Sequence, residues 1–253
     1  MPGNMFIGAV KNRAADFVPV APASAVSVMG RSYRTNSPDQ SYNLTRDRSF
    51  ELYRFEIRAG ERWSGDAISE RSELGALDTW PMEQDIWLSY SVMVEPGPPV
   101  SSNFLVIGQF HNTPDAGEYS PSPPFEVNIS SATQALEIRT RGSAENPLTS
   151  NPVATIHYID PDFSRGKWYD FVVRFRSSYA GNGQLQVWRD GLQIINASGL
   201  VNGYNDAVGP YLKFGAYRGP TANGETFAVQ YANVEVGLSS LLSRVSRPLY
   251  RPT

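Results

Sequence analysis

YLKFGAYRG, residues 211–219, has the pattern of a strand whose two faces differ in character. At a period of two residues, one face is apolar and suits a core: Leu212, Phe214 and Ala216. The other face carries two phenols and an ammonium around a glycine: Tyr211, Lys213, Gly215 and Tyr217. We expect Gly215 to leave room above the sheet on this second face. The stretch therefore predicts a sheet with one buried face and one face that can receive a ligand.

Short alternating segments, separated by turn residues, make up most of the chain. They are 49–58, 86–95, 103–111, 125–130, 135–141, 154–159, 167–176, 183–195, 211–217 and 227–236. Asp190-Gly191 predicts a two-residue hairpin turn, and only SSLLSRV (239–245) favours a turn or two of helix. Roughly ten such strands predict an all-β fold, a β-jelly roll built as a two-sheet antiparallel, concanavalin-like sandwich.

The chain shows no internal repeat and no change of composition that would mark a second domain. We predict one domain over residues 1–253. It divides into a lead-in over about 1–44, rich in proline, alanine and valine, a jelly-roll core over about 45–236, and a basic tail over 237–253.

Composition excludes several classes of function. The net charge of −3 over 253 residues argues against a surface made for nucleic acid. The absence of cysteine removes disulfides, thiolate metal sites and cysteine nucleophiles. The apolar run near the N-terminus is too short for a signal peptide or a membrane span, so no membrane partner is expected.

Two strand-like segments carry unusual polar side chains. In RSEL (71–74), Arg71 and Glu73 share a face, which is typical of a rim salt bridge or of an arginine held by a carboxylate and aimed at an anionic ligand. In IGQFH (107–111), Gln109 and His111 share a face at the end of an apolar strand, where polar groups need partners. His157, by contrast, is expected to be an ordinary structural histidine.

Together these residues suit β-elimination from a uronic acid, because no carboxylate pair at glycosidase spacing accompanies them. Removal of the C5 proton drives charge onto the neighbouring carboxylate, which Arg71 and Gln109 would stabilise. An acid must also protonate the O4 leaving group. Tyr217 suits the acid, and either His111 or ionised Tyr217 suits the base. Arg71 and Lys213 would supply the positive charge that a phenolate needs.

RSEL, QFH and YLKFGAY resemble the R-S/T-E-L, Q-I/V-H and Y-F-K-A-G-x-Y motifs of alginate lyases, which are β-jelly-roll polysaccharide lyases. Four segments are closer in sequence to the heparin-lyase-like and glucuronan-lyase-like group: RFEIRAGERW, GKWYDFVVRFR, GQLQVWRDG and YLKFGAYRG. The resemblance covers roughly residues 45–235. Phe110 stands where alginate lyases have Ile or Val, and KFGAYRG replaces KAGxYNQ, which favours a relative acting on another uronate.

The resemblance implies a concave sheet that binds an acidic polysaccharide. It implies catalytic positions at Arg71, Gln109, His111 and Tyr217, and substrate-binding positions at Glu73, Tyr211 and Lys213. It favours β-1,4-glucuronate linkages of the glucuronan type; an alginate lyase and a non-catalytic carbohydrate-binding sandwich are the alternatives. On a substrate whose C5 proton and O4 share one side of the ring, Tyr217 alone would be base and acid; otherwise His111 would be the base.

We expect a monomer that is secreted or periplasmic, with its signal peptide absent from this chain. No cofactor is expected for the chemistry; some relatives carry a structural calcium, but no diagnostic ligand loop is visible here. Further substrate-binding candidates are Arg58 and Arg139, ahead of Arg141, Arg174 and Arg176. Trp63 or Tyr119 would stack on sugars, and residues 111–124 would form a lid.

Overall fold

The computed structural model describes residues 15–21 and 24–246, and these form two stacked eight-stranded sheets. In spatial order the first sheet contains β1 (Phe17–Pro19), β4 (Leu44–Asp47), β5 (Leu52–Ile57), β16 (Phe227–Gly237), β7 (Asp85–Val94), β12 (Trp168–Arg176), β13 (Gly183–Arg189) and β14 (Leu192–Leu200). The second contains β11 (Thr155–Asp160), β10 (Leu136–Thr140), β9 (Phe125–Ile129), β8 (Leu105–Thr113), β15 (Val208–Arg218), β6 (Glu70–Ala76), β3 (Arg31–Asn36) and β2 (Ala25–Val28). One short helix, α1 (Ser243–Ser246), follows β16 in the described part.

The core lies between the sheets, where alternate residues of each strand meet. Phe214 on β15 packs edge-to-face against Tyr33 of its own sheet and Phe55 of the first sheet, with ring centroids 5.5 and 5.6 Å apart. Leu212 and Ala216 are buried on the same side. Burying an aromatic or large aliphatic side chain contributes about 1.5–3 kcal/mol, so the apolar face of β15 holds the second sheet onto the first.

The predicted sandwich is confirmed: two antiparallel sheets contain nearly all the regular secondary structure of the described residues. Asp190 and Gly191 both have positive φ, 51° and 86°, as a two-residue hairpin turn of this kind requires. The strands outnumber the roughly ten expected, partly because β1, β2 and β3 lie within the assigned lead-in and pair with strands of the two sheets.

The assignment of residues 1–253 to one domain stays a prediction. The lead-in before residue 15 and the last seven residues of the basic tail lie outside the described residues. Across the part of the chain that is described, no helix combines the length and the apolar character needed to cross a bilayer.

Glycine is required at position 215 for a different physical reason from the one expected. Its φ is +136°, and a Cβ at this position would lie 2.3 Å from the carbonyl oxygen of Ser72 and 2.9 Å from the ring of Phe55. A side chain would therefore collide with β6 and with the first sheet. Glycine is needed for the close approach of strands, not for space above the outer face.

Candidate active site

The three motifs meet on the outer face of the second sheet, because β8, β15 and β6 are neighbours at its centre. Residues directly opposite each other in antiparallel strands present their side chains to the same face. The opposed pairs are Tyr211 with His111, Lys213 with Gln109, and Tyr217 with Arg71. Strand pairing thus gathers residues that lie up to 146 positions apart in the sequence on a single surface.

Glu73 is the centre of this surface. Its carboxylate accepts a hydrogen bond from Gln109 Nε2 at 2.6 Å, pairs with Lys213 Nζ at 2.9 Å and lies 3.5 Å from Arg71 Nη1. Burial raises the pKa of the Glu73 carboxyl, but the charges of Lys213 and Arg71 and the amide of Gln109 outweigh burial and hold the pKa below its usual value. We call these four residues the groove cluster.

The groove cluster is almost closed to solvent at its base. Glu73, Gln109 and Lys213 are each buried, so Glu73, predicted to bind substrate, contacts its neighbours in the cluster and is closed to solvent. Gln109 Oε1 has no hydrogen-bond partner. The pKa of Lys213 is lowered by burial and by Arg71, against the opposing effect of Glu73.

Arg71 is held between two carboxylates and lies over a phenol. Its Nε and Nη2 both donate to Asp66, with Nη2 2.6 Å from Oδ1, while Nη1 faces Glu73. The guanidinium carbon lies 4.2 Å from the ring centroid of Tyr217 and 5.5 Å from that of Trp63. A cation in this position favours negative charge nearby, so the geometry suits chemistry at the Tyr217 oxygen.

The hydroxyl of Tyr217 lies near a second hydroxyl group, that of Ser69. Ser69 Oγ lies 3.4 Å from it, and the ring of Phe104 packs against the Tyr217 ring with centroids 5.0 Å apart. Lys213 Nζ lies 5.7 Å from the same ring. The phenol is therefore held between an aromatic ring and two cations.

His111 is neutral and has one nitrogen available. Its Nδ1 lies 2.7 Å from the carbonyl oxygen of Asn112; because a carbonyl only accepts, Nδ1 carries the proton and Nε2 carries the lone pair. Burial, reinforced by Lys213, lowers the pKa of His111 to about 4. The ring of Tyr211 lies beside it, with centroids 5.5 Å apart. The imidazole can accept a proton but supplies no positive charge at neutral pH.

The two further arginine candidates have different outcomes. Arg139 lies on the outer face of the second sheet, opposite Glu126, and pairs with Glu137 and Glu126. Arg58 does not join the groove cluster: it follows β5 in the first sheet and pairs with Glu56 on that sheet's outer face. The alternation of the segment places Arg58 and Glu56 on the same face, as found, but alternation does not show which sheet a strand joins.

The remaining candidates are placed as follows. Arg174 and Arg176 bind Asp85 on the first sheet, and Arg141 pairs with Glu126. Tyr119 is exposed, and its backbone N–H donates to Leu148, so the proposed lid is tied to a neighbouring loop.

Sequence patterns did not indicate Asp66, Arg34 or Asn36. Asp66 lies on the loop before β6, and only its position five residues before Arg71 hints at the ion pair. Arg34 and Asn36 reach the same face through the pairing of β3 with β6. In residues 15–21 and 24–246, no group of three or more His, Asp or Glu side chains is placed to hold a metal ion.

Comparisons with known proteins agree with this geometry. A family model described as Polysaccharide lyase matches residues 22–233. No curated protein sequence matches the chain.

Solved structures share the fold at low sequence identity. An endo-β-1,4-glucuronan lyase from the fungus Trichoderma reesei is 15% identical with a TM-score of 0.60, covering 89% of this chain and 96% of that one. Alginate lyase A1-II′ is 16% identical with a TM-score of 0.57, covering 89% and 95%. An alginate lyase from Pseudomonas aeruginosa is 18% identical with a TM-score of 0.54, covering 79% and 87%.

Proposed function

The chain belongs to the polysaccharide lyase family, and from that premise we propose that it cleaves β-1,4-glucuronate linkages of a glucuronan-type polymer by β-elimination. The observation that carries the proposal is the Arg71 guanidinium lying 4.2 Å from the Tyr217 ring and joined through Glu73 to Gln109 and Lys213. A phenol beside cations and amide donors on one open sheet face suits proton transfer next to a carboxylate.

Charge on the substrate carboxylate is stabilised by donors that remain free. Gln109 uses one Nε2–H on Glu73, which leaves its second N–H for the substrate. Arg71 donates three of its five N–H groups to Asp66 and Glu73. Both side chains are already held by carboxylates, so in this proposal the remaining donors stabilise the developing enolate without reorganisation.

Tyr217 serves as base and acid on a glucuronate substrate. Its phenolate takes the C5 proton, the C4–O4 bond breaks, a C4–C5 double bond forms, and the phenol returns the proton to the departing oxygen. The C5 proton and O4 lie on the same side of this sugar, so one residue reaches both. Positive charge comes from Arg71, because His111 is neutral.

An alginate substrate is the second candidate, and the tautomer of His111 favours its guluronate blocks. With guluronate, the C5 proton and O4 lie on opposite faces of the ring, so two residues are needed. His111 Nε2 carries a lone pair and would take the proton while Tyr217 protonates O4. The choice between glucuronate and guluronate therefore depends on which residue removes the C5 proton.

The remaining assignments concern the protein's surroundings. A polymer of this kind is met outside the cytoplasm, so the enzyme is assigned as secreted or periplasmic. We propose that it acts as a monomer and needs no cofactor for the elimination. It binds an acidic polysaccharide and neither nucleic acid nor membrane.

Ultraviolet absorbance tests the proposal directly. The purified chain is incubated with glucuronan, alginate blocks, heparin, heparan sulfate, hyaluronan and pectate, because the conjugated double bond left by elimination absorbs whereas hydrolysis products do not. We expect absorbance to rise with glucuronan. A rise with alginate alone would replace the first candidate by the second, and binding without any rise would support a non-catalytic sandwich.

A further inference from the structure

The cations of the groove are nearly all matched by carboxylates. Arg71 pairs with Asp66 and Glu73, and Lys213 pairs with Glu73. Arg139 pairs with Glu126 and Glu137, and Arg141 pairs with Glu126. A polyanion gains little net attraction from charges that are already neutralised. An anionic polymer therefore needs a further cation on this face.

Arg34 on β3 meets that need. It is exposed, and within the described residues it forms no ion pair with a carboxylate. Its guanidinium carbon lies 5.8 Å from the ring centroid of Tyr211. Arg34 stands opposite Gly75, which stands opposite Lys213, so Arg34 shares the outer face with the groove cluster at two strand spacings, about 10 Å, from Lys213.

Gly75, which is itself buried, lies between these cations. A Cβ at this position would lie 3.3 Å from Asn36 Nδ2 and 3.6 Å from Arg34 Nε. A side chain on β6 would thus occupy the space in front of both groups. Without one, the Arg34 guanidinium and the Asn36 amide both lie close to the Gly75 backbone.

Asn36 supplies a second, independent indication of a ligand. Only 1% of it is exposed, yet its Oδ1 has no hydrogen-bond partner, and its amide donates to no described residue. Buried amides are normally satisfied. A uronate offers what is missing, because its hydroxyl can donate to Oδ1 and its carboxylate can accept from Nδ2 and from Arg34.

We propose that Arg34 and Asn36, on either side of Gly75, form a subsite for the carboxylate of a second uronate residue, next to the sugar that reacts. The inference rests on the proposed function, since it assumes a polyuronate in the groove. Arg34 then provides the net charge that the neutralised groove cluster lacks. The subsite makes cleavage efficient only for chains long enough to reach β3.

Cleavage of oligouronates of increasing length, from the polymer that the wild type cleaves, tests the subsite. In Arg34→Gln we expect kcat/KM to fall about 10- to 100-fold on long chains, mostly through KM, because hydrogen bonds to a charged group are lost. The shortest cleavable chains should be unaffected. Gly75→Ala should show the same dependence on length, and Arg34→Lys should recover part of the loss. Arg46→Gln, the same charge change at an exposed site on the first sheet, should match the wild type.

Two results would overturn the subsite: wild-type kinetics in Arg34→Gln at every length, or an equal loss at every length. If the wild type cleaves no polyuronate, the proposed function fails separately. The affinities of Arg34→Gln and Arg46→Gln for glucuronan, measured by calorimetry, then decide the subsite. Weaker binding in the first variant alone supports it, and equal binding rejects it.

Discussion

The two sheets carry the same set of residue types on their outer faces, with different surroundings. On the second sheet Glu73 accepts from Gln109 and pairs with Arg71. On the first sheet Glu95 accepts from Gln230 at 2.6 Å and from Arg54 at 2.7 and 2.9 Å. In both, burial raises the pKa of the glutamate but the partners outweigh it and lower it.

The difference lies in burial and in what stands beside each carboxylate. The Glu73 side chain is 1% exposed and that of Glu95 is 22% exposed. Glu73 also holds a lysine, and its arginine covers the ring of Tyr217. An arginine, a glutamate and a glutamine thus form a surface cluster on the first sheet, whereas the same residue types form the base of a candidate active site on the second. Burial together with a nearby acid or base distinguishes them.

Replacing each glutamate by glutamine should give the largest difference between the two sheets in stability and activity. Glu73→Gln leaves Lys213 with a buried charge and no carboxylate, which costs about 3–5 kcal/mol, and it should also abolish turnover. Glu95→Gln, the matched control, should cost about 1 kcal/mol or less and keep full activity. Urea unfolding and the absorbance assay measure both. Equal losses of stability in the two variants would contradict the comparison.

The neutral His111 should make stability depend on pH in a way that the first sheet does not. Its pKa falls from 6.5 to about 4 on folding, so between these values the unfolded chain binds more protons, and stability is lost as the pH drops. The loss is on the order of 3 kcal/mol between pH 7 and pH 4. His111→Asn should unfold with a flatter pH dependence than the wild type in urea titrations. Parallel curves would show that His111 is not held neutral.

The arginines give the smallest expected effects. Arg58→Ala removes an exposed guanidinium that pairs with Glu56 on the first sheet, so it should change the stability little and leave KM unchanged. Arg139→Ala, on the face of the second sheet, should raise KM for the polymer. Steady-state kinetics on both variants check this. A raised KM in Arg58→Ala would return that residue to the groove.

Local alternation was sufficient to predict the sandwich and most of its strands. It placed Leu212, Phe214 and Ala216 in the core, as found. It also put Arg71 and Glu73 on one face and Gln109 and His111 on another, and strand order then made these a single face.

What could not be predicted depends on contacts distant in sequence. Arg34 reaches the groove only because β3 pairs with β6, and nothing local in RSYRTN shows that pairing. Asp66 binds Arg71 from a loop that has no periodicity. The position of Arg58 on the first sheet was not predictable for the same reason: the alternation of β5 is clear, but its sheet is set by pairing with β4 and β16.

Turnover and binding by Tyr217→Phe test the central claim most directly. The absorbance assay on glucuronan gives turnover, and calorimetry gives affinity. Tyr158→Phe, the same change on the core-packed side of the second sheet, is the control. We predict that Tyr217→Phe loses turnover while binding glucuronan almost as tightly as the wild type, and that Tyr158→Phe keeps both. Strong residual turnover in Tyr217→Phe would contradict the role of this phenol.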